Sequence, residues 1–365
     1  MYTVSDLTSN LKCSETPASA TEMKILFNTL FVLVTTVLTL VAMDACRTDV
    51  SREEKAPVTT SGIDEINAAI AADPGDASNY ARRAEYHVSI GNFGDAITDM
   101  AEAMRRDSTN EQYHILLTDI YLNAARSQLA LGTMERAAIL FPDSVRTLNK
   151  LAEVNLIVRQ YGRASSILQE AMKLDPRNTA TLHLVGILYQ EEENIERAIQ
   201  TYQTIVEIDS EDADAWITLG NLLQGKEDPM ALRCFENAIR VNPGYPQALH
   251  AKAFYLQNHG SIQEAIKIYD QIHGIDPDYT DAWLNQGILF LEVDSLDAAL
   301  GCFETLVNQD PRSVIGLYYL GLTYQTQGDT VLARQYYSTG LTLAPGSRRL
   351  LDAMASTGIT GKLVQ

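Results

Sequence analysis

An all-α solenoid of stacked helix pairs is the fold this sequence predicts, and three rows of residues predict it. The first is an alanine row, Ala96, Ala130, Ala164, Ala198, Ala231, Ala265, Ala299 and Ala333, spaced by 34 residues with a single 33 between Ala198 and Ala231. The second follows it by four residues with a large side chain: Met100, Met134, Leu168, Tyr202, Phe235, Tyr269, Phe303 and Tyr337. The third follows by twelve as Pro142, Pro176, Pro243, Pro277, Pro311 and Pro345, with Ser108 and Ser210 in the two gaps. A fixed period of this length marks one supersecondary unit repeated along the chain, and such stacks offer surface for binding.

Each unit has a second half. Sixteen residues before the alanine stands His114, Leu148, Leu182, Leu249, Trp283 or Leu317, and Trp216 precedes Ala231 by fifteen. Gly186, Gly220, Gly287 and Gly321 follow four residues after that bulky position. The whole resembles the tetratricopeptide repeat family, whose pattern is W-x2-L-G-x2-Y, then A-x3-F, then P. The clearest copies run WITLGNLL from Trp216, LYYLGLTY from Leu317 to Tyr324, and ALGCFETLVNQDP from Ala299. The resemblance covers 76–345 as about eight repeats and implies a right-handed superhelix of helix pairs. In each pair the alanine admits the second helix close to the first, the bulky residue fills what remains, and proline ends the second helix.

In chain order, the expected elements begin with a leader or mis-assigned start over 1–22, the true start being Met1 or Met23. Residues 23–45 carry an uncharged apolar run, Ile25–Met43, preceded by Lys24. As a signal peptide it would be cut near Asp44-Ala45-Cys46, and Met43–Cys46 resembles a bacterial lipobox with Asp44 out of pattern. That resemblance implies acylation of Cys46. An uncleaved anchor is the alternative, since 19 apolar residues suffice to cross a bilayer, and cleaved soluble export is a third. The first two place the repeats outside the cytoplasm, tethered to a membrane of the cell envelope.

Residues 46–61 are polar with proline and glycine and read as a flexible stalk. Ile63–Ala72, within a half-repeat over 62–75, reads as a capping helix. Repeat seven is expected as helices Asp281–Leu291 and Leu296–Asn308. The 33-residue interval is expected to lose its residue within Gly225–Met230. After Pro345, residues 346–365 supply a last helix, Ser347–Thr357, whose Leu350 and Leu351 would cover the final repeat. Terminal pieces of this kind shield a stacking face that would otherwise aggregate.

Composition fits thin helix-pair cores: 46% of residues are hydrophobic but only 7% aromatic. A net charge of −19 disfavours nucleic acid and anionic membrane surfaces as electrostatic partners. Four cysteines occur, and Cys234 and Cys302 hold one position in repeats five and seven, too far apart for a disulfide. They read as small buried spacers. No phosphate-cradling glycine loop, HExxH, GxSxG or CxxC is present, and six histidines are spread over four repeats. The expectation is no enzyme, no catalytic residue, no metal and no cofactor.

The resemblance places a binding groove on the first helices. At the ninth position of each repeat stand Glu85, Asp119, Glu153, Ile187, Asn221, Phe254, Ile288 and Leu322. This predicts a groove grading from acidic to apolar, with Tyr318 and Tyr319 adding aromatic area. The expected peptide-groove residues are Ile187, Asn221, Phe254, Ile288, Tyr318, Tyr319 and Leu322. The function that follows is a membrane-tethered scaffold that binds a protein partner and organises an envelope assembly. The alternative is an accessory subunit in polysaccharide handling, its groove receiving a glycan or a glycan enzyme.

Overall fold

The computed structural model describes residues 60–358; the leader, Ile25–Met43 and Cys46 lie outside the described residues. Among the described residues every regular element is a helix, and there are eighteen. The chain divides between Glu65 and Ile66, inside the first helix α1 (Thr60–Ala72), and the array from Ile66 onward is described by itself. None of the described helices is long and apolar enough to cross a membrane.

The first (A) helices of the eight pairs are α2 (Ala77–Ser89), α4 (Glu111–Asn123), α6 (Val145–Ile157), α8 (Thr179–Glu191), α10 (Ala213–Gly225), α12 (Pro246–Asn258), α14 (Thr280–Glu292) and α16 (Val314–Thr326). The second (B) helices are α3 (Phe93–Arg106), α5 (Ser127–Leu140), α7 (Tyr161–Leu174), α9 (Ile195–Ile208), α11 (Met230–Val241), α13 (Ile262–Ile275), α15 (Leu296–Gln309) and α17 (Thr330–Leu343). A last helix, α18 (Arg348–Ser356), follows. The expected bounds of repeat seven hold to one residue. The missing residue of repeat five is also where expected: α11 has 12 residues against 14 in each other B helix, and it starts after Asp228-Pro229.

Side-chain size explains the pairing of A with B. All eight row alanines are fully buried, as are most of the large residues four positions on. Where the A helix carries glycine at its eighth position, the B helix carries a ring. A Cβ placed on Gly186, Gly287 or Gly321 would lie 2.6, 2.5 and 2.6 Å from Tyr202, Phe303 and Tyr337, and Gly220 meets Phe235 in the same way. Where the A helix carries Ala84, Thr118 or Ala152, the B helix carries the slimmer Met100, Met134 or Leu168. Interiors packed to crystal density require such matching. Ala253 opposite Tyr269 departs from the pairing.

The ends of the helices follow from local chemistry. After each B helix the chain turns extended, with φ between −123° and −141° at Phe141, Asp175, Asn242, Asp276, Asp310 and Ala344, the residues before the row prolines. Asp107 and Asp209 stop their helices at the same geometry without proline. Their Oδ1 atoms accept from Thr109 N and Glu211 N, the Asx turn also made at Asp175, Asn242, Asp276 and Asp310. A second recurring tie comes from the fourth position of the A helix. Tyr80, His114, Trp216 and Trp283 all donate to the carbonyl six residues back, on Pro74, Ser108, Ser210 and Pro277, at 2.8 to 3.4 Å. A carbonyl only accepts, so the His114 Nε2 carries the proton.

Every A-to-B turn places one residue in the left-handed region. Three of the eight use Gly91, Gly260 and Gly328, and five use Ala125, Arg159, Glu193, Glu227 and Asp294 at φ of 55–59°. A side chain there is strained by about 1 kcal/mol relative to glycine. We therefore expect Glu193→Gly and Ala125→Gly each to stabilise the array by about 0.5–1 kcal/mol in urea unfolding. A loss of stability at both positions would show that the strain is relieved elsewhere.

The caps differ in detail from expectation. Ile66 is buried, Ile70 packs on the first-repeat core, and Asn67 accepts from Arg83 Nη1 at 2.9 Å. In α18, Leu350 is buried against Ala333 and Tyr337, but Leu351 is 48% exposed. Only one of two neighbouring leucines can face the array, because successive helical residues diverge by about 100°. Cys234 and Cys302 are free and buried, as expected of spacers. Burial pushes their thiols up to about 11 and about 12.

Candidate functional site: the A-helix face

Successive A helices touch one another (α4 with α6, α6 with α8, α10 with α12, α12 with α14, α14 with α16), whereas no B helix makes a comparable contact with the next among the described residues. The A side of the stack is therefore its tighter, inner side, and the ninth-position residues sit there.

The acidic half of this face is internally paired. Lys150 of α6 reaches Asp119 of α4 at 2.7 Å and Glu153 of its own helix at 2.8 Å. Burial works against the Lys150 charge, but Glu153 and Asp119 together hold its pKa above the ordinary lysine value. Of the three acidic ninth-position residues only Glu85 is exposed. The expected acidic surface is thus largely a cross-repeat ion cluster.

Comparable ties continue along the face. Thr181 Oγ1 donates to Asn149 Oδ1 at 2.9 Å, and His183 Nε2 lies 2.7 Å from Asp212 Oδ2 at the start of α10. Burial raises the Asp212 carboxyl, yet His183 and the backbone of Ala215 bring it below its usual value. The Tyr245 hydroxyl donates to Asp214 at 2.5 Å, and Asn285 Nδ2 lies 2.9 Å from His250 Nε2. The rings of Phe254, Tyr269 and Tyr279 surround His250 at 5.6–6.4 Å. Burial in this cage holds the imidazole below its ordinary range, against the opposing pull of Asp281.

The expected groove residues divide into two sets. Phe254 is only 4% exposed, because its ring joins the His250 cage and does not project into the groove. Tyr319 stacks on Phe303 at 5.3 Å, and burial raises its phenol. Tyr318 meets Tyr319 edge-on at 5.1 Å and lies under the Arg349 guanidinium at 5.3 Å, so α18 partly roofs it. Ile187, Asn221, Ile288 and Leu322 are half-buried and retain accessible surface on the inner face. The polar ties were absent from the sequence reading. Their signal was there as donors and acceptors about one repeat apart, such as Lys150 with Asp119 and His183 with Asp212.

Among the described residues no three His, Cys, Asp or Glu side chains gather as a metal site would require. The junction of repeats six and seven, α13 against α14, does bring together a polar cluster. Gln286 Nε2 donates to Asp270 Oδ1 at 2.6 Å and to the Ile266 carbonyl at 3.2 Å, and His273 Nε2 lies 3.1 Å from Gln286 Oε1. His273 stacks on Trp283 at 3.5 Å. The buried amide is satisfied within the array, so the cluster serves packing.

Comparison with known proteins agrees with these helix pairs. Two family profiles described as tetratricopeptide repeat match residues 156–223 and 284–348. BBSome complex member BBS4 of Bos taurus is 24% identical over 245 residues, 64% of this chain and 47% of that protein. Its Drosophila melanogaster homologue is 24% identical over 266 residues, covering 70% and 47%. The chain spans about half the length of these curated relatives. A chain of the APC/C hetero-tetramer Cut9–Hcn1 superposes with a TM-score of 0.53 at 14% identity, over 81% of this chain and 58% of that one. The Pseudomonas aeruginosa pilF structure superposes at 0.51 and 15% identity, over 58% and 97%. At these identities the superpositions speak to fold alone. The alanine period, the ring-on-glycine fit of the helix pairs and the two profile matches converge, and the array is built of tetratricopeptide-type repeats.

Proposed function

We propose that this chain is a membrane-tethered scaffold that holds a protein partner against its A-helix face and thereby organises a multiprotein assembly in the cell envelope. The observation that carries the binding reading is the set of half-buried apolar side chains on the inner face, Ile187, Ile288 and Leu322. A concave face with accessible apolar anchors and a polar surround suits an extended or helical peptide. Assembly is supported by the company the chain keeps: one relative is named as a member of the BBSome complex, and a fold neighbour is part of a hetero-tetramer. The tether rests on the sequence of Ile25–Met43 and on Cys46.

The test is crosslinked capture from native membranes with the full chain and with an Ile187→Ser/Ile288→Ser/Leu322→Ser variant shown by circular dichroism to stay folded. We expect a protein partner that the wild type retains and the variant loses. Identical captures would overturn the groove reading, and a chain that fractionates away from membranes would overturn the tether.

A further inference from the structure

The third repeat contains a cavity of about 310 Å³ that opens between two B helices, away from the A-helix groove. Leu151 and Asn155 of α6 and Gly162 and Ile167 of α7 line it, and Glu135 of α5 pairs with Arg163 of α7 at its edge at 3.0 Å. Its volume falls at the small end of ligand pockets, which run from about 300 Å³ upward.

The cavity has an identifiable origin. At the eleventh position of the A helix, six of the eight repeats carry a large side chain: Tyr121, Tyr189, Leu223, Leu256, Phe290 and Tyr324. The third repeat carries Asn155 there, and the shorter amide leaves the space unfilled. Asn155 is 1% exposed, and its Nδ2 donates to the Leu151 carbonyl at 2.7 Å. Its Oδ1 is buried and accepts from no group among the described residues. A buried amide oxygen without a donor costs about 1–3 kcal/mol, so a ligand that brings a donor is favoured over one that does not.

Two other repeats show what fits among these positions. In repeat eight, the Tyr324 ring stacks on Tyr336 at 5.5 Å with 3° between planes. Tyr336 occupies the place of Ile167. The Tyr324 hydroxyl donates to Glu304, at the place of Glu135, at 3.1 Å. In repeat four, the Arg197 guanidinium lies 5.6 Å over the Tyr189 ring, and Arg197 occupies the place of Arg163. Three residues at the cavity thus stand where this same chain holds a phenol ring elsewhere.

We propose that the third-repeat cavity is a docking hole for a tyrosine side chain of a partner protein, its ring between Ile167 and Arg163 and its hydroxyl donating to Asn155 Oδ1. A ring that enters from outside runs opposite to one that grows from the eleventh position. Its hydroxyl therefore arrives at the floor, where the unpartnered oxygen lies, and its backbone stays at the rim. The site is independent of the A-helix groove.

The experiment titrates the full chain with p-cresol, with toluene as the hydroxyl-free control and with N-acetyl-tyrosinamide as the backbone-bearing probe. It follows the Ile167 methyl and Asn155 side-chain amide signals by NMR. We expect saturable shifts with both phenols and at least ten-fold weaker binding of toluene. Asn155→Leu, which installs the side chain found at 223 and 256, should abolish the shift at Ile167, and Asn155→Tyr serves if that variant fails to fold. Absence of a saturable wild-type shift, or equal binding of toluene and p-cresol, would overturn the proposal without recourse to any variant. Binding of p-cresol but not of N-acetyl-tyrosinamide would restrict the hole to free phenols and overturn the docking of a protein.

Discussion

Gly287→Ala is expected to destabilise the array by about 1–3 kcal/mol, the cost of forcing one methyl into a packed core. The added Cβ would stand 2.5 Å from the Phe303 ring, which is fully buried and has no room to withdraw. The repeats that carry alanine at this position and a slim aliphatic partner supply the remedy: Ala84 faces Met100, and Ala152 faces Leu168. Combining Gly287→Ala with Phe303→Leu should recover a large part of what the first change loses. Phe303→Leu alone vacates ring volume opposite a glycine and should itself destabilise. A double-mutant cycle in urea, read at the unfolding midpoint, measures this coupling, expected at about 1 kcal/mol or more in favour of the matched pair. Additive losses would mean that the A and B helices separate to absorb the methyl, and that size matching is not what sets their distance.

Arg83→Met is expected to cost about 2–3 kcal/mol. Arg83 Nε and Nη2 donate to the two carboxylate oxygens of Asp99 at 2.8 and 2.6 Å, and the Asp99 side chain is almost wholly buried between α2 and α3. Asp99 raises the Arg83 pKa chiefly through these hydrogen bonds, against the effect of burial. Removing one member of a fully buried pair costs roughly 3–5 kcal/mol because the other charge is stranded. Arg83 keeps about a quarter of its surface, which lowers the expected figure. Arg83→Met/Asp99→Leu should be much closer to wild type than Arg83→Met alone, since apolar residues can replace a buried pair at little cost. A double variant as unstable as the single one would place the value of Arg83 elsewhere, in its contacts with Asn67 and the Tyr80 ring.

The fold was legible because the same physical requirement recurs eight times. Any one alanine, such as Ala265, says little, but eight of them in step with a large residue and a proline specify two helices and the distance between them. The inner face was less legible, because its residues answer to their neighbours and not to the period. Asp119 and Glu153 read as a pair of free acids until Lys150, which belongs to a different position of the repeat, is seen between them. Phe254 shares a position with Ile187 and Leu322, yet its ring packs beside His250, and only three-dimensional contact reveals that. Leu351 failed as a capping residue for a simpler reason, the rotation between neighbouring helical positions. Asn155 was readable in principle as a break in the eleventh-position row.

The glycine that makes room and the ring that fills it belong to the same helix pair in every repeat where they occur. Each pair therefore carries its own steric agreement with it. A gene segment encoding one whole pair can be duplicated, lost or exchanged without any residue elsewhere having to change size in compensation. The polar ties on the inner face have the opposite property, because Lys150 with Asp119, His183 with Asp212 and Asn285 with His250 each join two pairs. An array of this kind can lengthen cheaply by copying units, and it then acquires an individual inner surface slowly, one junction at a time.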